Sequence, residues 1–310
     1  MRELAAREDV RIVVRDEAWR QFRLGVDAIK SFDADLRFSR GKGNEGGDIQ
    51  FAVMHKPSDG LAVGDAGSME VQIAKDFMHL ADVKILMGQD LGVAEEIDRV
   101  VPLIAAARGR HPDVTLSVDT WRAAVAEDAI AAGANLINDT WAGADPDLPR
   151  IAAATGAGLV CSHTGGAVPR TRPFRVRYPD VVADVRDSLA AAAEAAFAAG
   201  VREDGIVIDP THDFGKNTHH GLALLRHLDQ LVGTGWPVLM ALSNKDFIGE
   251  TLDAGLEERV AGTLAATALA AHAGARMFRV HQVADTRRVV EMVASIDGAR
   301  PPARVVRGLA

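Results

Sequence analysis

The sequence predicts an α/β fold, a (β/α)8 barrel of the TIM-barrel class with a short N-terminal extension. From about residue 95 onward, short β-branched runs alternate with Ala-rich helical stretches, and this alternation indicates parallel βαβ units. The runs are apolar without alternating polar residues, as expected for strands buried on both faces. The chain of 310 residues is long enough for eight such units, which usually take about 250 residues.

Eight strands are expected in this barrel. Two are predicted at residues 49–54 and 83–87, and six more follow residue 115. These six end at or beside Asp119, Asn138, His163, Asp209, Ser243 and His281. Helices are expected at residues 121–132, 181–200 and 256–273. An open doubly wound sheet is the alternative, but no G-x-G-x-x-G motif follows the first strand.

The first part of the chain has a different pattern. Residues 1–48 are predicted to be an extension and linker, and residues 49–310 to be the barrel domain. Apolar residues between 19 and 29 recur at helical spacing and predict a short amphipathic helix. Residues 41–47 (GKGNEGG) are typical of a flexible linker.

Composition excludes several classes of protein. Hydrophobic residues make up 48% and charged residues 25% of the chain, as in ordinary soluble domains. The net charge of −8 argues against general nucleic-acid binding, which needs a basic face. No apolar run has the ~20 residues of a membrane span or the features of a signal peptide. A single cysteine, Cys161, allows no intrachain disulfide. We therefore expect a cytoplasmic protein that binds neither nucleic acid nor membrane.

Three polar strand ends suggest recognition of a heterocycle. The C-terminal ends of barrel strands form one mouth, where functional residues collect. Asp119, Asn138 and Asp209 offer two carboxylates and an amide at this mouth. Such a set suits the adjacent N–H donors of a pterin or of a guanine edge. Each residue alone can instead cap the helix that follows it.

Cations are expected on the opposite rim. Arg279 and His281, with Lys245 nearby, suit an anion such as diphosphate. A structural ion pair is the alternative interpretation of Arg279 and His281. Four arginines between residues 170 and 177 are interpreted either as a lid that attracts an anionic ligand or as a solvated loop.

Other reactive side chains are assigned no chemistry. His212, His219 and His220 match no zinc spacing, and we interpret them as surface or supporting residues. Cys161 lies within an apolar strand, so an inert buried thiol is expected.

These polar residues stand in motifs that resemble the dihydropteroate synthase family, a pterin-binding barrel family. The resemblance covers about residues 95–310. It rests on segments 117–120 (SVDT), 137–140 (INDT), 208–210 (IDP), 214–216 (FGK), 242–245 (LSNK) and 279–281 (RVH). Details such as residues 242–250 look most like an actinobacterial second paralogue within the family.

The resemblance implies a transferase of folate biosynthesis. The family joins 6-hydroxymethyl-7,8-dihydropterin diphosphate to p-aminobenzoate and releases diphosphate. By resemblance, the pterin is held by Asp119, Asn138, Asp209 and Lys245, and the diphosphate by Arg279 and His281 with Mg²⁺ beside it. The resemblance also implies a homodimer.

The chain departs from the family's pattern in three places. His55 lies nearest the position of the Asn that ends the family's first strand and helps bind Mg²⁺ and diphosphate. Residues 81–93 lack the second-loop pattern that helps close over p-aminobenzoate. In the family's S-R-K-S motif, Asn244 replaces the Arg, and Asp246 replaces the Ser that helps hold the benzoate carboxylate. Two carboxylates repel each other, so the acceptor half of the site is altered while the donor half is largely kept.

Three functions follow from this pattern. The main prediction is a dihydropteroate synthase, which includes one with weak activity. The alternative is a catalytically inactive or repurposed paralogue that keeps the pterin and diphosphate site and has lost the p-aminobenzoate site. A methyltetrahydrofolate-dependent methyltransferase is the third. It is disfavoured because it does not need Arg279 and His281 for a diphosphate.

Overall fold

The computed structural model describes residues 10–15, 50–54, 92–139, 141–166 and 177–307, and one eight-stranded sheet lies within them. The strands are β1 (Val10–Arg15), β2 (Gln50–Met54), β3 (Thr115–Asp119), β4 (Leu136–Asp139), β5 (Gly158–Ser162), β6 (Ile206–Asp209), β7 (Leu239–Met240) and β8 (Met277–Val280). The helices are α1 (Val93–Arg110), α2 (Ala123–Ala131), α3 (Leu148–Thr155), α4 (Val181–Ala198), α5 (Thr218–Arg226), α6 (Leu228–Val232), α7 (Asp246–Leu252), α8 (Val260–His272) and α9 (Val283–Ile296).

The sheet has the order β6-β5-β4-β3-β1-β2-β8-β7. Strands β3 to β6 pair in parallel, as do β7 and β8, with helices between them. A parallel bridge between Ile208 and Val238 brings the two end strands, β6 and β7, side by side. The backbone N–H of Ile208 also donates to the Pro237 carbonyl at 2.9 Å. The predicted α/β fold, with parallel strands and intervening helices, is confirmed.

Two strands differ from the expected parallel pattern. β2 lies at the predicted residues 49–54, but it runs antiparallel to both β1 and β8. β1 comes from the segment predicted to be an extension, and it pairs in parallel with β3. An antiparallel neighbour needs no crossover helix, so β2 can join this sheet by a connection of a different kind. The strand predicted at residues 83–87, the helix within 19–29 and the linker at 41–47 lie outside the described residues.

Two apolar clusters lie on opposite faces of the sheet. The larger one packs the strands against the surrounding helices, with Ile137, Ile208 and Phe278 fully buried. Burial of each such side chain contributes about 1.5–3 kcal/mol. A smaller cluster contains Leu136, Val160, Val207, Leu239, Ala241 and Met277. No helix within the described ranges is long and apolar enough to cross a membrane.

The smaller cluster explains where the polar strand ends face. Side chains two residues apart on a strand share a face of the sheet. Asn138 therefore follows Leu136 on the face of the smaller cluster. By the same spacing, Asp209 follows Val207, and Arg279 follows Met277. The polar residues thus lie directly beyond this cluster, at the carboxyl ends of the strands.

Candidate functional site

Four buried polar residues meet at the carboxyl ends of the parallel strands. Asp119, Asn138, Asp209 and Arg279 end or nearly end β3, β4, β6 and β8, and none is more than 7% exposed. The Asn138 amide donates to Asp119 Oδ2 at 3.3 Å. Arg279 Nη1 lies 3.5 Å from the same oxygen. The structure therefore places Arg279 beside the acidic residues. The predicted position of Arg279 on the opposite rim is not observed.

Asp209 is the most fully buried carboxylate of this group. Its Oδ1 atom accepts a hydrogen bond from the Thr211 backbone N–H at 2.7 Å. Burial raises the pKa of Asp209, and the positive charges of Arg279 and Lys245 act in the opposite direction. Lys245 forms an ion pair with Asp213. The residues predicted to bind the pterin thus include two buried carboxylates, Asp119 and Asp209. The cations Arg279 and Lys245 lie beside them.

Asn138 offers an unused acceptor within this group. Its Oδ1 atom is buried and has no hydrogen-bond partner in the part of the chain that the structure describes. Leaving such an acceptor unsatisfied costs about 1–3 kcal/mol. A ligand N–H donor at this point would remove that cost.

The loop after β6 is held by Lys216, which the sequence analysis noted in a motif without assigning it a role. The Lys216 ammonium donates to the carbonyls of His163, Thr211 and Phe214 at 3.0, 3.1 and 2.9 Å. Burial lowers the pKa of Lys216 to about 7. Thr211 has a left-handed φ of 49°, which is rare for a β-branched residue. Lys216 therefore ties the end of β5 to a strained turn that also holds Asp209.

Two histidines beside this loop are buried. His163 is 4% exposed and lies 2.9 Å from the Asp184 carboxylate, and burial lowers its pKa to about 4. His212 is also 4% exposed, and burial lowers its pKa to about 3. His212 is therefore not a surface residue, whereas His219 is exposed.

The altered acceptor residues lie at the start of α7. Asn244 has a left-handed φ of 56°, and Asp246 is the first residue of the helix. The Asp246 carboxylate is 83% exposed and lies 2.9 Å from Arg259 Nη1. From the sequence, only the negative charge of Asp246 is apparent. Its arginine partner lies 13 residues away, and no local pattern marks it.

The remaining predicted site residues are less informative. The His281 backbone N–H donates to Ser243 Oγ at 3.1 Å, which joins the end of β8 to the segment after β7. His55 and most of the arginine-rich loop at 170–177 lie outside the described residues. Cys161 is buried as predicted, and burial raises its pKa to about 12.

Mg²⁺ requires oxygen ligands, usually one or two carboxylates with water or phosphate oxygens. The described residues contain no group of three His, Cys, Asp or Glu side chains that could hold a metal ion. A metal held mainly by protein side chains therefore does not fit this part of the chain.

Comparison with known proteins relates the chain to one family. The family described as pterin binding enzyme matches residues 82–281. A Mycobacterium leprae (strain TN) protein named inactive dihydropteroate synthase 2 is 64% identical over 239 residues, which cover 76% of this chain and 82% of that protein. The dihydropteroate synthase of Bacillus subtilis (strain 168) is 38% identical over 200 residues, 64% of this chain and 67% of the relative. The structure is similar to that of Thermus thermophilus dihydropteroate synthase in complex with 4-aminobenzoate, with a TM-score of 0.62, 39% identity and coverage of 66% of this chain and 79% of that one.

Proposed function

The chain belongs to the pterin binding enzyme family, and we propose that it is a catalytically inactive paralogue of dihydropteroate synthase. In this proposal it keeps the pterin and diphosphate site and has lost the p-aminobenzoate site. The similarity to a protein named inactive dihydropteroate synthase 2, at 64% identity, supports this alternative over a working synthase. The protein of Bacillus subtilis that is named dihydropteroate synthase, without the word inactive, is more distant, at 38% identity.

One observation carries the proposal, namely that the two halves of the site are built differently. The pterin half consists of buried, mutually bonded groups at strand ends, with Asp119 and Asp209 at 7% and 2% exposure. The acceptor half presents the carboxylate of Asp246, which is 83% exposed and paired with Arg259. Asp246 thus places an arginine-paired carboxylate where, by resemblance, the family has the Ser that helps hold the benzoate carboxylate.

The pterin half has the donors and acceptors that a dihydropterin needs. The carboxylate of Asp209 and the unused Oδ1 of Asn138 accept hydrogen bonds from the ring N–H and amino groups. A carboxylate that faces an amino group and a ring N–H forms a paired contact, which is stronger than a neutral one. Lys245 donates to the pterin carbonyl side. Arg279 and His281 hold the diphosphate, for which guanidinium geometry is well suited.

Several parts of the sequence-based account stay predictions. Mg²⁺ is one, and no step of this proposal depends on it.

We also propose a homodimer, since Leu269, Met292 and Ile296 are exposed on the two packed helices α8 and α9. Helix α8 has no charged residue before His272, which is unusual for a solvent-exposed helix. A cytoplasmic location remains a prediction.

The proposal is tested by diphosphate release. The purified protein is incubated with 6-hydroxymethyl-7,8-dihydropterin diphosphate and Mg²⁺, with and without p-aminobenzoate, beside a working dihydropteroate synthase as positive control. We expect no release above the uncatalysed rate in either condition, because the protein does not hold the carboxylate of p-aminobenzoate. Release that depends on p-aminobenzoate, with dihydropteroate formed, would contradict the proposal. Release without p-aminobenzoate would also contradict it, because a protein that frees diphosphate with another acceptor is not inactive.

A further inference from the structure

Arg259 is a largely buried cation at the acceptor half of the site. It follows a 3-10 turn at Leu256–Glu258, and its side chain is 14% exposed. Nη1 donates to the Asn244 carbonyl and to the Asp246 carboxylate, both at 2.9 Å. Nε donates to the Ala254 carbonyl at 3.3 Å. Backbone carbonyls on both sides of α7 therefore fix the guanidinium group.

Gly249 provides the space for this guanidinium group. A Cβ atom at Gly249 would lie 2.5 Å from Arg259 Cζ, far inside van der Waals contact. The guanidinium therefore lies directly on the bare backbone of α7. Only a glycine at this helical position allows that approach.

The two members of the ion pair are held very differently. Arg259 is 14% exposed and bonded to two carbonyls, whereas the Asp246 side chain is 83% exposed. Among the described residues, Arg259 is the only side chain to which the Asp246 side chain is hydrogen-bonded. Ion pairs with a solvated partner contribute little to stability. The cation is thus part of the fold, and its carboxylate partner can be exchanged.

We propose that Arg259 is a carboxylate-binding residue of the acceptor half, and that Asp246 occupies it in this chain. The ligand class is a small aromatic carboxylate, because a guanidinium group matches the planar carboxylate. Asp246 acts as an intramolecular competitor for Arg259. The inference rests on the proposed function, which places the acceptor half at Asn244 and Asp246.

The test is calorimetric titration of p-aminobenzoate into four proteins. They are the wild type, Asp246→Ser, the double variant Asp246→Ser/Arg259→Gln, and Asp204→Ser. Asp204 is a matched control because it is an exposed aspartate that is paired with an arginine, Arg202. Each titration is done with and without 6-hydroxymethyl-7,8-dihydropterin, which carries no leaving group.

Removal of the competitor should tighten binding. We expect p-aminobenzoate binding to be undetectable in the wild type and saturable in Asp246→Ser, at least tenfold tighter than the detection limit, the scale of one charge-assisted hydrogen bond. The double variant should return to wild-type affinity, and Asp204→Ser should not differ from the wild type. No gain in Asp246→Ser would overturn the inference, as would a gain that persists without Arg259.

A second comparison avoids any variant at Arg259, in case its loss unfolds the protein. Asp246→Ser is titrated with p-aminobenzoate and with the neutral 4-aminobenzamide. Only the carboxylate ligand should gain affinity over the wild type, and an equal gain for the amide would contradict the inference. Dihydropterin binding, measured in the same samples, separates the two proposals. If the dihydropterin does not bind while the Arg259-dependent gain is present, the proposed function fails and this inference stands.

Discussion

Replacing Asp209 with asparagine is expected to weaken binding of 6-hydroxymethyl-7,8-dihydropterin diphosphate roughly 100-fold, or about 2.7 kcal/mol. Asp209 is 2% exposed, so its contacts with a ligand are fully desolvated. Asparagine has the same shape and can still accept from the Thr211 N–H, but it carries no charge. The paired, charge-assisted contact with the pterin is therefore lost. Calorimetry or ligand fluorescence measures the effect.

The same variant separates the pterin contact from general damage. Inorganic diphosphate should bind Asp209→Asn no more weakly than the wild type, because Arg279 keeps its charge and loses a carboxylate that partly neutralises it. Burial raises the pKa of Asp209, so its charged form is costly in the folded state. The variant should accordingly melt at the same or a higher temperature. Asp204→Asn, at an exposed site, serves as control. Unchanged dihydropterin affinity in Asp209→Asn would remove the pterin role of this residue.

Acidification is expected to favour a His212→Leu variant strongly over the wild type. The pKa of His212 is lowered by burial to about 3, compared with about 6.5 in an unfolded chain. Between these values the unfolded chain binds a proton at this position that the folded chain does not. Stability linked to His212 is therefore complete above pH 6.5 and falls as the pH decreases, by about 1.4 kcal/mol per pH unit.

This effect is measured as a difference because other buried groups titrate in the same range. Burial raises the pKa of Asp139 to about 6, so that group gains stability as the pH falls through 6. The difference in unfolding free energy between His212→Leu and the wild type cancels such contributions. It should shift in favour of the variant by about 2.5 kcal/mol between pH 6 and pH 4. His219→Leu, at an exposed position nearby, should stay parallel to the wild type. A flat difference for His212→Leu would mean that His212 is solvated.

The sequence pattern within each segment predicted the strands and helices that local interactions determine. Apolar strands that end in polar residues placed Asp119, Asn138 and Asp209 at one edge, because parallel strands present their carboxyl ends together. Strand β1 was not predicted, because its partners, β2 and β3, are distant in sequence or antiparallel. Strand direction is decided by the connections between strands, and an apolar run does not record it.

The electrostatic environment of the site was less predictable. Asp246 was expected to be a repulsive charge, but Arg259 lies against it through a fold-dependent contact over Gly249. Lys216 binds three carbonyls from two loops, and this arrangement exists only when β5 and β6 are paired. For His212 the sequence left a surface and a supporting position open, because a histidine in a polar loop gives no sign of burial. These features depend on tertiary contacts between segments with no shared local pattern.

The central claim, that the donor half binds its ligand while the acceptor half does not, is tested most directly by a sequential calorimetric titration. The wild-type protein is first saturated with 6-hydroxymethyl-7,8-dihydropterin diphosphate, and p-aminobenzoate is then added to the complex. We predict a saturable heat in the first titration, no binding heat in the second, and no dihydropteroate in the recovered sample. A saturable heat for p-aminobenzoate with dihydropteroate formed, or no binding of the dihydropterin diphosphate at all, would contradict the account.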